Sequence, residues 1–327
     1  MSKTVVVTGG AGFIGRNAIA ELNRRGVTDI LLVDDLGSDE KWQNLRGLVF
    51  EDIVSPAHFL SLVERNALDG VEAVLHLGAC SATTERDADF LLRNNYHYTR
   101  TLCEWTLARD VRFIYASSAA TYGDGAQGYS DADPSTPALV PLNMYGYSKH
   151  MFDLWALRHQ LFARIVGLKY FNVFGPFEDH KGDMRSVVSK SYFQVRDTGE
   201  INLFKSYRPE FGDGEQMRDF IYVKDAVDVT LWFLGNNVGG LFNCGTGTAR
   251  TWKDLARAVF AAMEKPEKIH FIPMPEALRG KYQYFTEAAM DKLRGAGYER
   301  AFLSLEDGVA DYLRSYYLPL ERGRESQ

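Results

Sequence analysis

The segment Thr8-Gly9-Gly10-Ala11-Gly12-Phe13-Ile14-Gly15 constrains the fold more than any other part of the chain. It follows a strand-like apolar run, Thr4 to Val7, and opens a helical pattern from Ile14 to Arg25 that stops at Gly26. Gly9, Gly12 and Gly15 stand three residues apart at this junction. The first permits a tight turn, the second lets a ligand approach the backbone, and the third lets helix and strand pack closely. The N–H groups that open the helix then face outward, and the helix dipole favours a pyrophosphate there. A glycine triplet alone is weak evidence, so the reading needs an acid after the next strand to hold a ribose. Ile30 to Val33 is that strand and Asp34 is that acid, with Asp35 beside it. Together the two carboxylates disfavour a 2′-phosphate on the ribose and suit NAD. Lys41 opposes them: its ammonium either pairs with such a phosphate and admits NADP, or is a solvated loop lysine. Charge alone leaves both open.

Short apolar runs and amphipathic stretches alternate through the first half. Leu48 to Phe50 is a weak third strand, Ala73 to Leu77 a fourth, Phe113 to Ala116 a fifth and Ile165 to Tyr170 a sixth. Helical patterns around Phe90 to Arg109 and Lys149 to Gln160 separate the later ones. This rhythm predicts a parallel sheet with helices on both faces. After Gly175 the alternation weakens and Gly, Pro, Asp and aromatic residues become frequent. Phe220 to Val223 and Leu241 to Cys244 read as strands returning to the main sheet, and Ile269 to Ile272 as a strand in a mostly helical tail. The expected architecture is α/β: a Rossmann-type doubly wound parallel sheet with a smaller, discontinuous α/β substrate-binding domain. Residues 1–171 plus 220–247 are assigned to the first, and 172–219 plus 248–327 to the second.

With 37 basic and 43 acidic residues the net charge is -6, which argues against a nucleic-acid binder while leaving room for a local cationic pocket. Cys80, Cys103 and Cys244 show no metal-ligand or CxxC spacing. They read as small buried hydrophobes of a reducing cytoplasm, with no metal site. The N-terminal apolar run ends in glycines rather than a cleavage site, and no run approaches the roughly 20 residues of a membrane span. The expected location is therefore the cytoplasm, with no membrane partner.

A second constellation carries chemistry. Tyr145-Gly146-Tyr147-Ser148-Lys149 places Tyr145 and Lys149 at i and i+4, on one helix face. A free tyrosine titrates near 10, too high for a base at neutral pH. An ammonium about 4 Å away, at an effective dielectric near 20, favours the phenolate by about 4 kcal/mol, which brings Tyr145 toward neutrality. Ser117-Ser118 ends the fifth strand and offers a hydroxyl to the same place. Leu77-Gly78-Ala79-Cys80 ends the fourth with small residues, which either admit a cofactor or simply pack against a helix. Asn94 and Asn95 lie in the following helix, where an asparagine either is buried and orders that loop or is merely an exposed helix residue.

TGGAGFIG, SSAATYG, YGYSK, KYFNVFGP, RDFIYVKDAVD and FNCGTG together resemble the extended short-chain dehydrogenases/reductases that act on sugar nucleotides, over nearly the whole chain. The resemblance implies that Ser118, Tyr145 and Lys149 flank a nicotinamide. It assigns cofactor contacts to Gly9, Gly12, Phe13, Ile14, Gly15, Asp34, Asp35, Lys41, Leu77, Gly78, Ala79, Cys80, Ser81 and Asn94. The cofactor is then a tightly held NADP or NAD, NADP being slightly favoured. Ala119 and Ala120 stand where the dehydratases of this family carry an acidic pair, so dehydration lacks its acid and base.

LHLGACSATTE, NNYHYT, FNVFGPFEDHKGDM and LRGKYQYFT are similar to the ADP-heptose 6-epimerase branch. That resemblance implies inversion at C6 of the heptose of ADP-D-glycero-β-D-manno-heptose, for the inner core of lipopolysaccharide. It makes Lys181, in His180-Lys181-Gly182, a second base opposite Tyr145, and Arg218 a pyrophosphate clamp. Substrate contacts then fall to Ser118, Asn172, Lys181, Asp183, Lys190, Phe204, Arg218 and Tyr282. The chain would be a homo-oligomer, a pentamer by this resemblance. Blander readings stand beside these: a phosphate-binding or surface lysine for Lys181, an ion pair with Asp219 or Asp225 for Arg218, and a core tyrosine for Tyr282. A UDP-hexose 4-epimerase and a catalytically silent dinucleotide-binding scaffold are the competing functions. The chain departs from the branch at Asp35, where an Asn is familiar, and at 207–216, which reads as an insertion.

Overall fold

Apolar residues fill both faces of the first strand, the pattern of a strand at the centre of a parallel sheet. The computed structural model describes residues 3–279 and 282–325; Gly280 and Lys281 of the LRGKYQYFT motif lie outside them. Twelve strands occur among the described residues: β1 (Thr4–Thr8), β2 (Ile30–Val33), β3 (Asp52–Val54), β4 (Val71–His76), β5 (Arg112–Ser118), β6 (Ile165–Tyr170), β7 (Asn172–Phe174), β8 (Ile201–Phe204), β9 (Met217–Tyr222), β10 (Gly240–Cys244), β11 (Ala249–Thr251) and β12 (Ile269–Ile272). Seven form one parallel sheet in the order β10-β6-β5-β4-β1-β2-β3. The chain runs outward from β1 through β2 to β3, then crosses back to β4. Strand order therefore reverses between β1 and β4, and the carboxyl ends of these two strands open a crevice. This is the doubly wound sheet that the sequence predicts.

Two strand readings are corrected. The third strand is Asp52–Val54, not Leu48 to Phe50. Val49 is exposed, and both of its backbone groups are taken by the Asn23 side chain, the N–H by Oδ1 and the carbonyl by Nδ2, each at 2.8 Å. No ladder can form there. Of the two late strands, only β10 rejoins the main sheet, beside β6. β9 pairs instead with β7 in parallel and with β11 antiparallel, in a separate three-stranded sheet. β8 and β12 make a third, two-stranded sheet.

Helix α1 (Phe13–Arg24) covers one face of the main sheet, and the helix Val223–Gly235 packs beside it. The helices Tyr98–Ala108 and Met144–Arg158 cover the other face through Leu102, Cys103, Phe152 and Ala156. The second of these starts earlier than its apolar pattern suggests. Asn143 caps it, its side chain accepting the Gly146 N–H at 2.8 Å, so Tyr145 stands in the first turn. No helix among the described residues is long and apolar enough to cross a membrane.

Candidate active site

A cavity of about 520 Å³ occupies the crevice between β1 and β4. Its floor is backbone. Gly9 has φ +69° and abuts Gly78 at the end of β4; a Cβ on Gly9 would lie 2.7 Å from the Gly78 N and Cα. Gly12, Phe13, Ile14 and Gly15 continue the lining, and no side chain caps the first turn of α1. Its N–H groups are left for an anion. At the far end, the Asp34 carboxylate accepts the Ala11 N–H at 2.9 Å and the Lys41 ammonium at 2.6 Å. Lys41 also reaches the Asp35 carbonyl at 2.9 Å, while the Asp35 side chain is exposed and stands outside the lining. Glycine floor, uncapped helix start and ribose-distance acid together fit the pyrophosphate and adenosine ribose of a dinucleotide.

Leu77, Gly78, Ala79 and Ser81 line the cavity beyond β4, whereas Cys80 does not. The buried Asn95 orders that loop: its Oδ1 accepts the Cys80 N–H and its Nδ2 donates to the Cys80 carbonyl, both at 2.9 Å. Nδ2 also lies 3.0 Å from the Ser148 hydroxyl, which ties the loop to the helix Met144–Arg158. Asn94 only donates to Asn95, at 3.1 Å, and stands off the lining.

Ser118, Tyr145 and Lys149 all line the cavity. The Ser118 hydroxyl, which accepts the Ala120 N–H at 3.1 Å, faces the Tyr145 phenol and favours its ionised form. Burial outweighs this and raises the Tyr145 pKa, the reverse of the expected shift. Burial likewise pushes the Lys149 pKa down to about 8, with Asp153, one turn further along the helix, opposing the fall.

Lys181 joins the lining from a short turn, Asp179–Met184, after β7, and its Nζ lies 5.1 Å above the Phe13 ring. Burial lowers its pKa; Glu178 opposes this and Lys190 adds to it. A partly desolvated amine of this kind moves toward its neutral, proton-accepting form. The turn is held from several sides. Glu178 accepts both the N–H and the hydroxyl of Ser186 at 2.5 Å. Asp179 accepts the hydroxyls of Tyr316 at 2.7 Å and Tyr317 at 2.8 Å. The buried Asn44 donates to the Ala11 carbonyl at 2.9 Å and lies 3.1 Å from His180 Nδ1, linking the Lys181 turn to the glycine loop.

Asn172, Phe220, Trp252 and Leu255 close the remaining side. Arg218 is buried behind Trp252, its guanidinium 5.5 Å from that ring and 5.1 Å from Tyr282. Trp252 Nε1 in turn donates to the Tyr282 hydroxyl at 2.8 Å. Arg218 donates to the Met217 carbonyl and makes no ion pair among the described residues. Asp219 is satisfied by Thr246, Gly247 and Ala288, and Asp225 by the Leu303 N–H. Asp183, Lys190, Phe204, Arg218 and Tyr282 stand outside the lining of this cavity. Asp183 is exposed, Lys190 acts on Lys181, and Phe204 lies on β8, its carbonyl 3.5 Å from Gln216.

Residues 5–245 match the model of the NAD dependent epimerase/dehydratase family. The chain belongs to this family. It is 56% identical, over 95% of its length and 97% of the relative's, to the ADP-L-glycero-D-manno-heptose-6-epimerase of Nitratidesulfovibrio vulgaris (strain DP4). Its fold matches the crystal structure of the Helicobacter pylori ADP-L-glycero-D-manno-heptose-6-epimerase with a TM-score of 0.82, at 26% identity and 96% coverage of both chains. The Thermus thermophilus UDP-glucose 4-epimerase in complex with NAD also matches, with a TM-score of 0.76, at 25% identity, over 95% of this chain and 98% of that one. The cofactor of this epimerase/dehydratase family member is accordingly a nicotinamide dinucleotide, NAD or NADP.

Sequence reasoning on this family member missed Trp252, Asn44 and Glu178 as parts of the site. Trp252 is visible only as the start of a helical tail. Asn44 lies in an unpatterned loop, and its three contacts come from Ala11, Phe177 and His180, far apart in the chain. Glu178 carried a signal, an acid three residues before Lys181 in a loop otherwise rich in Gly, Pro and Phe.

Proposed function

We propose that this epimerase inverts C6 of the heptose in ADP-D-glycero-β-D-manno-heptose to give the L-glycero form. The observation that supports the reading is that two side chains able to exchange a proton, Tyr145 and Lys181, line the same dinucleotide cavity from separate elements. The similarity to relatives that carry this activity by name supports it. A secondary alcohol carbon has no acidic C–H, so proton transfer alone cannot invert it. When bound, the nicotinamide supplies reversible oxidation of that carbon, with no net redox change. Everything else falls to side chains. Tyr145 takes the hydroxyl proton in one orientation of the C6 group, with Ser118 holding the oxygen. Lys181 takes it in the other. Lys149 holds the cofactor ribose, Asn172 borders the sugar, and Arg218 with Tyr282 and Trp252 receives the nucleotide diphosphate. Residues 172–219 and 248–327 supply this substrate side, and assembly as a homo-oligomer belongs to the same reading.

Incubation with ADP-D-glycero-β-D-manno-heptose is expected to yield both C6 epimers by NMR, and UDP-galactose to be left unchanged. Turnover of UDP-galactose with none of ADP-heptose would replace this reading with a UDP-hexose 4-epimerase. Turnover of neither, with cofactor bound, would favour a silent dinucleotide-binding protein.

NADP is the favoured cofactor, with Lys41 pairing to the 2′-phosphate on release from Asp34. Lys41→Ala should weaken NADP about tenfold or more, the scale of a lost charge-assisted hydrogen bond. NAD affinity should change little. Equal losses for the two, by fluorescence titration of the reduced forms, would remove Lys41 from the 2′-phosphate.

A further inference from the structure

Two ionisable side chains beneath the active site are fully buried and have no part in the chemistry above. Asp153 lies on the helix Met144–Arg158 at i+4 from Lys149 and i+8 from Tyr145, so the three share one stripe. Its Oδ1 accepts the Tyr115 hydroxyl and its Oδ2 the Ser117 hydroxyl, each at 2.7 Å. Lys169 enters from β6, paired in register with Ser117. Its Nζ stands 4.2 Å over the Tyr122 ring and has no hydrogen-bond partner among the described residues. A buried ion pair is commonly no more stable than apolar residues of the same volume, and removal of one member is strongly destabilising. Two buried ionisable groups that do not even pair directly are a poor way to build a core, and these sit beside the catalytic stripe.

We propose that Asp153 is a positioning residue: its carboxylate, one helical turn beyond Lys149, favours the charged form of that ammonium, and through Ser117 it fixes the strand end that carries Ser118. The proposal rests on the reading of Lys149 as the lysine that holds the cofactor. Four elements face Lys149 and Asp153. Tyr145 stands on the same helix. Cys80 comes from the loop after β4, and His76 from β4 itself. Tyr115 and Ser117 come from β5, and Lys169 from β6. His76 does not compete as a cation. Its Nδ1 lies 2.7 Å from the Thr8 hydroxyl and its Nε2 2.8 Å from that of Thr99, and burial pushes its pKa to about 3. Asp153 is thus the one carboxylate that acts on Lys149 among the described residues. Burial raises the Asp153 pKa, and Lys169 is foremost among the groups that oppose this and favour the ionised carboxylate.

The sign of the effect follows. Removal of the anion takes stabilisation from protonated Lys149, so its pKa falls and its charge is lost at a lower pH. In Asp153→Asn, binding of NADPH and NADH, followed by nicotinamide fluorescence between about pH 6 and 9.5, should lose its alkaline limb about one pH unit lower than in the parent. The epimerisation rate should shift with it. A carboxylate that only props up the helix would lower both curves without moving the limb, and that result overturns the proposal. Asp153→Asn/Lys169→Met leaves no lone buried ion, so it gives the reading if the single variant fails to fold; the same shift is expected, and its absence has the same meaning. Lys149→Met separates the two levels. If it keeps the parental affinity and limb, the cofactor reading of Lys149 has failed. If it abolishes the limb while Asp153→Asn leaves it unmoved, the role of Asp153 alone has failed.

Discussion

Lys181→Met is expected to slow epimerisation about 10²–10⁴-fold at saturating substrate, the usual effect of removing a group that transfers a proton in the rate-determining step. Tyr145→Phe should cost a similar factor, yet the two variants should differ in which C6 epimer they still oxidise. On the proposed reading each base serves one orientation of the C6 hydroxyl, so each variant keeps one half-reaction and loses the other. The surroundings of Lys181 support this assignment over a phosphate-holding role. Its amine lies above Phe13, and burial together with Lys190 favours the neutral form. A lysine kept for phosphate would gain nothing from that, because only its charged form attracts the ligand. The phosphate role predicts a raised KM with kcat nearly preserved. Kinetics on both epimers, with cofactor reduction followed in single turnovers, separate the two. A kcat within a few-fold of the parent for Lys181→Met would sink the second base.

The main sheet and the first wall of the site were legible because their signals are local. The glycine loop, Asp34 and the Tyr145–Lys149 spacing each lie within one strand–turn–helix unit, where geometry follows from residue type and interval. Signals that depend on distant partners were not legible. Leu48 to Phe50 has strand composition, but Asn23 captures the Val49 backbone and the ladder forms at Asp52 instead. Phe220 to Val223 has the apolar run of a central strand, yet nothing local says that β7 will peel away from β6 to meet it. The shift expected at Tyr145 had the wrong sign for a related reason. The i+4 spacing correctly puts Lys149 in the same cavity lining as Tyr145, but spacing does not say how deeply the phenol is buried, and burial decides the direction. Sequence spacing names neighbours; which of them a charge answers to depends on burial and on partners from β5 and β6.

Gly15→Ala is the second large expected effect, because the obstruction is backbone on all sides. A Cβ at this position would stand 2.1 Å from the Gly9 carbonyl oxygen, 2.8 Å from the Gly9 carbonyl carbon and 2.9 Å from the Gly10 Cα. No side chain can swing away to make room. Either α1 moves off β1 or the glycine loop opens, and both displace the N–H groups that receive the pyrophosphate. A misplacement of about 1 Å at such a site costs on the order of 10²-fold, and the overpacking itself costs about 1–3 kcal/mol of stability. The purified variant should therefore release little or no nicotinamide nucleotide on denaturation, bind added cofactor about 10²-fold more weakly, and melt lower than the parent. Gly235→Ala serves as the control, since open space surrounds that residue at the end of its helix. It should leave cofactor affinity unchanged and alter stability by less than about 1 kcal/mol in either direction. If Gly15→Ala melts lower but binds cofactor within a few-fold of the parent, the loop accommodates the methyl group without moving its N–H donors, and the pyrophosphate is held elsewhere.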